Sequence, residues 1–229
     1  MKLLFRADGN GQIGAGHIMR CLSIAQKAKE QGMDCVFLTA DDSYVHKITD
    51  AGIRCVVLNT DYRKLEDEVP KLLEYFTREK PEKIIVDSYF VTERYLKALK
   101  TIACVVYIDD IASFAYPVDV LINYNSYAYA VDYKNIYERA KVPLPQLLLG
   151  SRFAPLRKEF QGVSAKKVRD SVKDIFVSVG GSDPGHMMMR MIEYLVIHQE
   201  LTENKQYHFV IGDFEPDQKE ILAMSLTYS

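Results

Sequence analysis

The sequence predicts a Rossmann-like, doubly wound α/β domain at the N-terminus, followed by a second, incomplete unit of the same kind. Three observations carry this reading. Short, almost continuously apolar runs alternate with longer amphipathic ones, the pattern of a parallel sheet buried between helices. A loop holding Gly9, Gly11, Gly14 and Gly16 joins the first strand to the first helix. Strand, glycine loop and helix recur in the same order at 175–198.

The strands read as Lys2–Phe5, Cys35–Thr39, Cys55–Leu58, Lys83–Asp87, Cys104–Ile108, Val120–Asn123 and Gln146–Leu149. Val, Ile, Leu and Cys fill them. Helices fall between the first five. Ile18, Cys21, Leu22, Ala25 and Ala28 form an apolar stripe that stops at Gly32. Val45, Ile48 and Ala51 lead to Gly52, and Leu65, Val69, Leu72, Leu73 and Phe76 precede Pro81. Tyr95, Leu96 and Leu99 mark a short fourth helix. The first domain is expected over 1–150. A connection follows at 151–174, with a polar helix on Leu156, Phe160, Val163 and Val168. Residues 175–229 then supply a strand to Val179, a helix over Met187–His198, a strand over Tyr207–Ile211 and a helix over Glu215–Leu226. Two strands are few for an independent domain of this type. An open sheet edge in this half leads to the expectation that the segment is mobile, or is covered by residues 1–170 or by another copy of the chain in an oligomer.

Composition narrows the function classes. The 229 residues are 48% hydrophobic and 26% charged, with a net charge of −2. That is an ordinary globular composition, with no basic stripe for nucleic acid. No apolar run approaches the roughly 20 residues of a membrane span. The N-terminus enters a strand directly, without a signal-peptide pattern, so a cytoplasmic location is expected. Cys21, Cys35, Cys55 and Cys104 fall in helix or strand and never as C-x-x-C, which reads as reduced core thiols. His17, His46, His186, His198 and His208 show no ligand spacing, and no metal is expected. Tyr124, Tyr127, Tyr129, Tyr133 and Tyr137 are read as lining a surface or interdomain face in preference to stacking on a base.

The first loop carries the chemistry. A glycine turn between strand and helix directs backbone N–H groups and a helix N-terminus at one point, which suits a diphosphate. His17 opens that helix and is the side chain best suited to acid–base work near neutrality. Two other readings stand beside this one. Gly9, Gly11 and Gly14 spell a dinucleotide fingerprint, but the acidic residue expected roughly 20 positions on is absent. Asp41 and Asp42 lie too far along, so no cofactor is assigned. The other is a purely structural turn with His17 as a capping residue. The second loop, Gly180-Gly181-Ser182-Asp183, has the same two faces: a phosphate or ribose contact, or a tight turn with Ser182 or Asp183 as N-cap. The first loop, Asp87-Ser88-Tyr89 and Asp109-Asp110 all sit at predicted strand C-termini, where ligands of such sheets bind.

Phe5-Arg6-Ala7-Asp8 and Gln12-Ile13-Gly14-Ala15-Gly16-His17-Ile18-Met19-Arg20 resemble the opening of the UDP-2,4-diacetamido-2,4,6-trideoxy-β-L-altropyranose hydrolases of pseudaminic acid synthesis. Related spore-coat polysaccharide proteins share this opening. The resemblance continues at Ile85–Tyr89, Ile108-Asp109-Asp110, Asp119–Asn125, Tyr127-Ala128, Leu149-Gly150, Phe153-Ala154, Leu156-Arg157, Phe160 and Val179–Asp183. It implies the fold of inverting glycosyltransferases with two facing Rossmann-like domains (GT-B), such as the peptidoglycan N-acetylglucosaminyl transferase. It also implies a reaction in which water displaces UDP at the anomeric carbon of a UDP-sugar. By this resemblance His17 activates the water, and the positive end of its helix favours the neutral imidazole a base requires. Arg6 and the loop amides are expected near the leaving diphosphate, and Tyr89 and Asn125 at the sugar's acetamido groups. For Tyr89, partial core packing stands beside that role. Asp8, Gly14, Gly16, Arg20, Asp87, Gly180, Gly181, Ser182 and Asp183 complete the expected substrate-binding set. The family's later uridine-binding segments have no counterpart after Phe214. A glycosyltransferase of the same architecture and a non-catalytic nucleotide-sugar-binding fragment are the alternatives.

Overall fold

A computed structural model describes residues 1–165 and 167–227. The chain divides into two compact units. One comprises 1–8 and 17–161, and the other comprises 9–16 with 162–229. The last two residues of the expected 175–229 segment lie outside the described residues.

The first unit is built on strands β1 (Lys2–Ala7), β2 (Asp34–Thr39), β3 (Arg54–Val57), β4 (Lys83–Asp87), β5 (Cys104–Ile108), β6 (Val120–Asn123) and β7 (Gln146–Leu149). They form one seven-stranded sheet in the order β3-β2-β1-β4-β5-β6-β7. Every pairing in it is parallel. The order reverses between β1 and β4, so the carboxyl ends of these two strands open at a topological switch point. Ala7 and Asp87 are register partners at that end.

Helices α1 (Gly16–Glu30), α2 (Val45–Asp50), α3 (Val69–Glu79), α4 (Glu93–Lys100) and α5 (Tyr133–Ala140) connect the strands. The α1 stripe expected from the sequence is buried at each of its positions, and Gly32 beyond it adopts a left-handed conformation (φ 79°). Thr92 caps α4 by accepting the Tyr95 N–H, and Asp132 caps α5 by accepting that of Asn135. One face of the sheet contributes Leu4, Val36, Leu38, Ile84, Val86, Val105 and Leu121 to a core with Leu72, Phe76, Tyr95, Leu96 and Leu99. Alternation along the strands puts Phe5 and Phe37 on the other face, stacked at 5.0 Å.

Two expectations are corrected here. Among the described residues, no helix runs through Leu156, Phe160, Val163 and Val168, where a polar one is expected. Short 3₁₀ turns at Ser151–Phe153 and Lys158–Phe160 take its place, and the four side chains are exposed. Pro155 holds Ala154 extended, and Gly162 turns with φ 71°, so no amphipathic helix can run through. The tyrosine cluster is not one surface. Tyr133 and Tyr137 are four apart on α5 and fully buried, while Tyr127 and Tyr129 are exposed.

In the second unit, β8 (Asp174–Ser178) and β9 (Gln206–Val210) pair in parallel, with α6 (Met187–Ile197) and α7 (Gln218–Thr227) following them. Gly212 passes so close to the Gly180 and Gly181 carbonyls that a Cβ there would meet backbone at 2.5 Å.

Candidate active site

His17, in the first turn of α1, and Asp87, at the end of β4, meet across the switch point. The imidazole Nδ1 lies 2.7 Å from Asp87 Oδ1, and both residues are buried. Arg20 is three residues further along α1 and so on the same helix face as His17. It grips the same carboxylate with Nε on Oδ2 and Nη2 on Oδ1, both at 2.5 Å. Its Nη1 donates to Asp110 Oδ2 (3.0 Å) and to the Tyr124 hydroxyl (2.9 Å). The Tyr89 hydroxyl donates to the same Asp110 oxygen at 3.0 Å, and its ring stands edge-on to His17 with centroids 4.6 Å apart. Tyr127 donates its hydroxyl to the Asp110 carbonyl.

Charge decides the proton positions. Burial disfavours an ionised Asp87, but hydrogen bonds from Arg20 and His17 outweigh it and hold the carboxyl below its usual range. Nδ1 of His17 also lies 3.0 Å from Arg20 Nη2, but its shorter contact is with the ionised Asp87 carboxylate, which only accepts, and that bond places the proton on Nδ1. The lone pair is then on Nε2, the nitrogen not engaged by Asp87. The geometry is that of an imidazole oriented by a carboxylate, with Arg20 keeping the carboxylate charged.

The folded state holds Asp87 below its unfolded value of about 3.9. Its contribution to stability is therefore complete above that value and lost as pH falls through the lower folded value. Asp87→Asn is expected to flatten the acid limb of a plot of thermal midpoint against pH. An acid limb identical to wild type would show that Asp87 is not held in this way.

Other expected site residues lie elsewhere. Arg6 does not present its guanidinium to a diphosphate. It is 0% exposed, bound through Nε and Nη2 to both oxygens of Glu68 at 2.7 Å and through Nη1 to Asp8 at 2.5 Å. Asp8 accepts the Ala40 N–H with its other oxygen, tying the end of β1 to the end of β2. In the first loop, Asn10 Oδ1 accepts the N–H groups of Gln12 and Ile13, and the Asn10 carbonyl accepts that of Gly14. These amides are turned inward. Gly14 has φ 70°, which calls for glycine, whereas a Cβ on Gly16 would meet open space.

Tyr89 is 49% exposed, with its ring against His17 and its hydroxyl on Asp110. Asn125 is half-buried, and its side chain donates to Asn123. In the second loop, Asp183 accepts the Met188 N–H of the first turn of α6 at 2.7 Å, while the N-cap position itself is His186, which makes no side-chain cap bond. Gly180 has φ 96°, and Ser182 bridges to Phe214. Among the described residues, no three His, Cys, Asp or Glu side chains gather as metal ligands, and no helix is long and apolar enough to cross a membrane.

Sequence reasoning gave no role to Glu68, Asp110 as the holder of Arg20 and Tyr89, or the buried Asp109–Tyr133–Asn123 group. Asp110 carried a signal, since it ends a predicted strand beside Asp109. Glu68 carried none, because it is one of three acidic residues in a row-like polar stretch before α3.

No protein-family model matches the chain. It is 27% identical, over 96% of its length and 73% of the relative's, to the UDP-2,4-diacetamido-2,4,6-trideoxy-beta-L-altropyranose hydrolase of Campylobacter jejuni. It is 24% identical to an uncharacterized protein of Methanocaldococcus jannaschii, of which it spans 40%. Solved structures share the fold. A glycosyltransferase from Rickettsia africae has a TM-score of 0.60 at 10% identity, with 91% of this chain and 68% of that one covered. MurG from Acinetobacter baumannii has a TM-score of 0.55 at 12% identity, covering 92% and 67%. The UDP-GlcNAc 2-epimerase of Methanocaldococcus jannaschii has a TM-score of 0.52 at 12% identity, covering 98% and 68%. The chain is thus an α/β protein of the GT-B, Rossmann-like kind, similar in sequence to a UDP-sugar hydrolase.

Proposed function

We propose that this chain carries the catalytic base of a cytoplasmic hydrolase that frees UDP from a UDP-linked diacetamido-trideoxy-hexose, in nonulosonic (pseudaminic) acid or surface polysaccharide synthesis. The observation that carries the reading is the His17–Asp87 pair, with Nδ1 engaged and Nε2 left as base. In this mechanism Nε2 takes a proton from water as the water oxygen bonds to the anomeric carbon. The bond from that carbon to the UDP oxygen breaks, and its electron pair leaves with the diphosphate. The imidazolium formed is stabilised by the Asp87 carboxylate. Gly16, Gly180, Gly181 and Ser182 are proposed contacts to phosphate or ribose, and Tyr89 and Asn125 to the sugar. The named Campylobacter jejuni relative supports the hydrolytic version.

A second reading is a glycosyltransferase, in which a sugar hydroxyl takes the place of water. It is favoured by the glycosyltransferases that share the fold. Incubation with a panel of UDP-sugars in ¹⁸O-water separates the two. Hydrolysis is expected to release UDP without any acceptor and to place ¹⁸O in the anomeric hydroxyl of the freed sugar. Release only when an acceptor sugar is added would assign the transferase. UDP binding with no turnover under either condition would leave a binding module.

A further inference from the structure

The carboxyl ends of β5 and β6 hold a chain of hydrogen bonds with a fixed direction. Asp109 Oδ1 accepts the backbone N–H groups of Ile111 (3.0 Å) and Ala112 (2.9 Å), and its Oδ2 accepts the Tyr133 hydroxyl at 2.6 Å. The tyrosine has one proton, and the carboxylate takes it. The Tyr133 oxygen therefore meets its next neighbour as an acceptor, and Asn123 donates Nδ2 to it at 2.9 Å. That choice turns Asn123 Oδ1 the other way, where it accepts the Asn125 backbone N–H (3.2 Å) and Asn125 Nδ2 (3.0 Å).

The orientation of the Asn123 amide is fixed twice over. A hydroxyl without a spare proton requires nitrogen on one side, and a backbone N–H requires oxygen on the other. Asp109, Tyr133 and Asn123 are all buried, so solvent does not compete for these groups. The last member, Asn125, is half-buried and follows Tyr124, whose hydroxyl accepts from Arg20 of the candidate active site. With its nitrogen engaged by Asn123, Asn125 has its carbonyl oxygen left for a ligand.

We infer that Asp109, Tyr133 and Asn123 are positioning residues that set Asn125 to read a hydrogen-bond donor on the substrate, such as the N–H of an acetamido group. The inference rests on the reading of the site as a sugar-nucleotide pocket. It deepens that reading by assigning the polarity of one contact and the buried carboxylate from which the polarity originates.

The test uses Tyr133→Phe, which interrupts the chain at one oxygen, and Asp109→Asn, whose amide can offer a donor to Tyr133 and reverse it. Tyr137→Phe is the control. Tyr137 is equally buried on the same helix, but its hydroxyl donates to the Tyr116 carbonyl outside the chain. Calorimetric affinities for UDP-N-acetylglucosamine and for UDP give a preference ratio for each protein. Both relay variants are expected to lower that ratio by roughly fivefold to tenfold, the worth of one hydrogen bond, with UDP affinity itself unchanged. Tyr137→Phe should match wild type. An unchanged ratio in Tyr133→Phe, or an equal loss in Tyr137→Phe, overturns the inference.

A wild-type protein that binds no UDP sinks the pocket reading, and the relay is then decided in the ligand-free protein. Hydrogen exchange of the Asn125 side-chain amide, followed by NMR, should be slow in wild type and several-fold faster in Tyr133→Phe. Equal rates would overturn it.

Discussion

Replacing His17 by alanine is expected to lower UDP release by roughly 10²–10⁴-fold, the usual worth of a general base. The fold should survive the change. Arg20 still holds both Asp87 oxygens, and the stripe that buries α1 begins with Ile18 and not with the imidazole. The rate loss should therefore appear in a protein with near wild-type circular dichroism and UDP affinity. Asp87→Asn probes the same step from the other side. An asparagine can offer its N–H₂ to Nδ1, which favours the tautomer with the proton on Nε2 and removes the base without removing the ring. Its rate should fall by a similar factor. A His17→Ala protein that releases UDP at near the wild-type rate would take His17 out of the mechanism. Loss in His17→Ala with full activity in Asp87→Asn would leave the histidine in place and dismiss the carboxylate as its orienting partner.

The fold was legible because its signals are local. Continuous apolar strands and the α1 stripe each follow from a period in the residues, and the strands came within a residue or two of those observed in the sheet. The switch point follows from the strand order, and it brings His17 and Asp87 to one end. What the sequence hid depends on pairing across distance. Arg6 reads as a cation beside a phosphate loop until Glu68, 62 residues away, closes on it in the fold. Tyr133 and Tyr137 read as surface aromatics because α5 has few aliphatic residues. Its periodicity lies in two tyrosines whose hydroxyls find buried acceptors. The loop amides read as a cradle, yet Asn10 satisfies three of them locally through its side chain and carbonyl. Such Asx-type turns compete with ligand binding for the same N–H groups.

Glu68→Ala is expected to destabilise the first unit by about 3–5 kcal/mol, the cost of leaving one partner of a buried ion pair alone. The fully buried Arg6 guanidinium would keep only its single bond to Asp8. Two further groups make the loss large. Tyr95 donates its buried hydroxyl to Glu68 Oε1 at 2.7 Å, and Thr60 donates to Oε2 at 3.3 Å. Set against a total stability of about 5–15 kcal/mol, the change should be plain in urea unfolding as a lower midpoint. A double variant, Arg6→Leu with Glu68→Leu, tells pair from network. If the ion pair stood alone, exchanging both members for apolar side chains would recover most of the stability. Here Asp8 and Tyr95 would each lose a buried partner, so recovery should be partial. The consequence reaches the start of the glycine loop through Asp8, which Arg6 holds on one oxygen and the Ala40 amide holds on the other. Asp8 is the last residue before the glycine loop, so a weakened Arg6 loosens the point from which the loop departs. Glu68→Ala with wild-type stability would show that the Arg6 charge is compensated by Asp8 alone, and the ion pair with Glu68 would then have no part in holding the start of the loop.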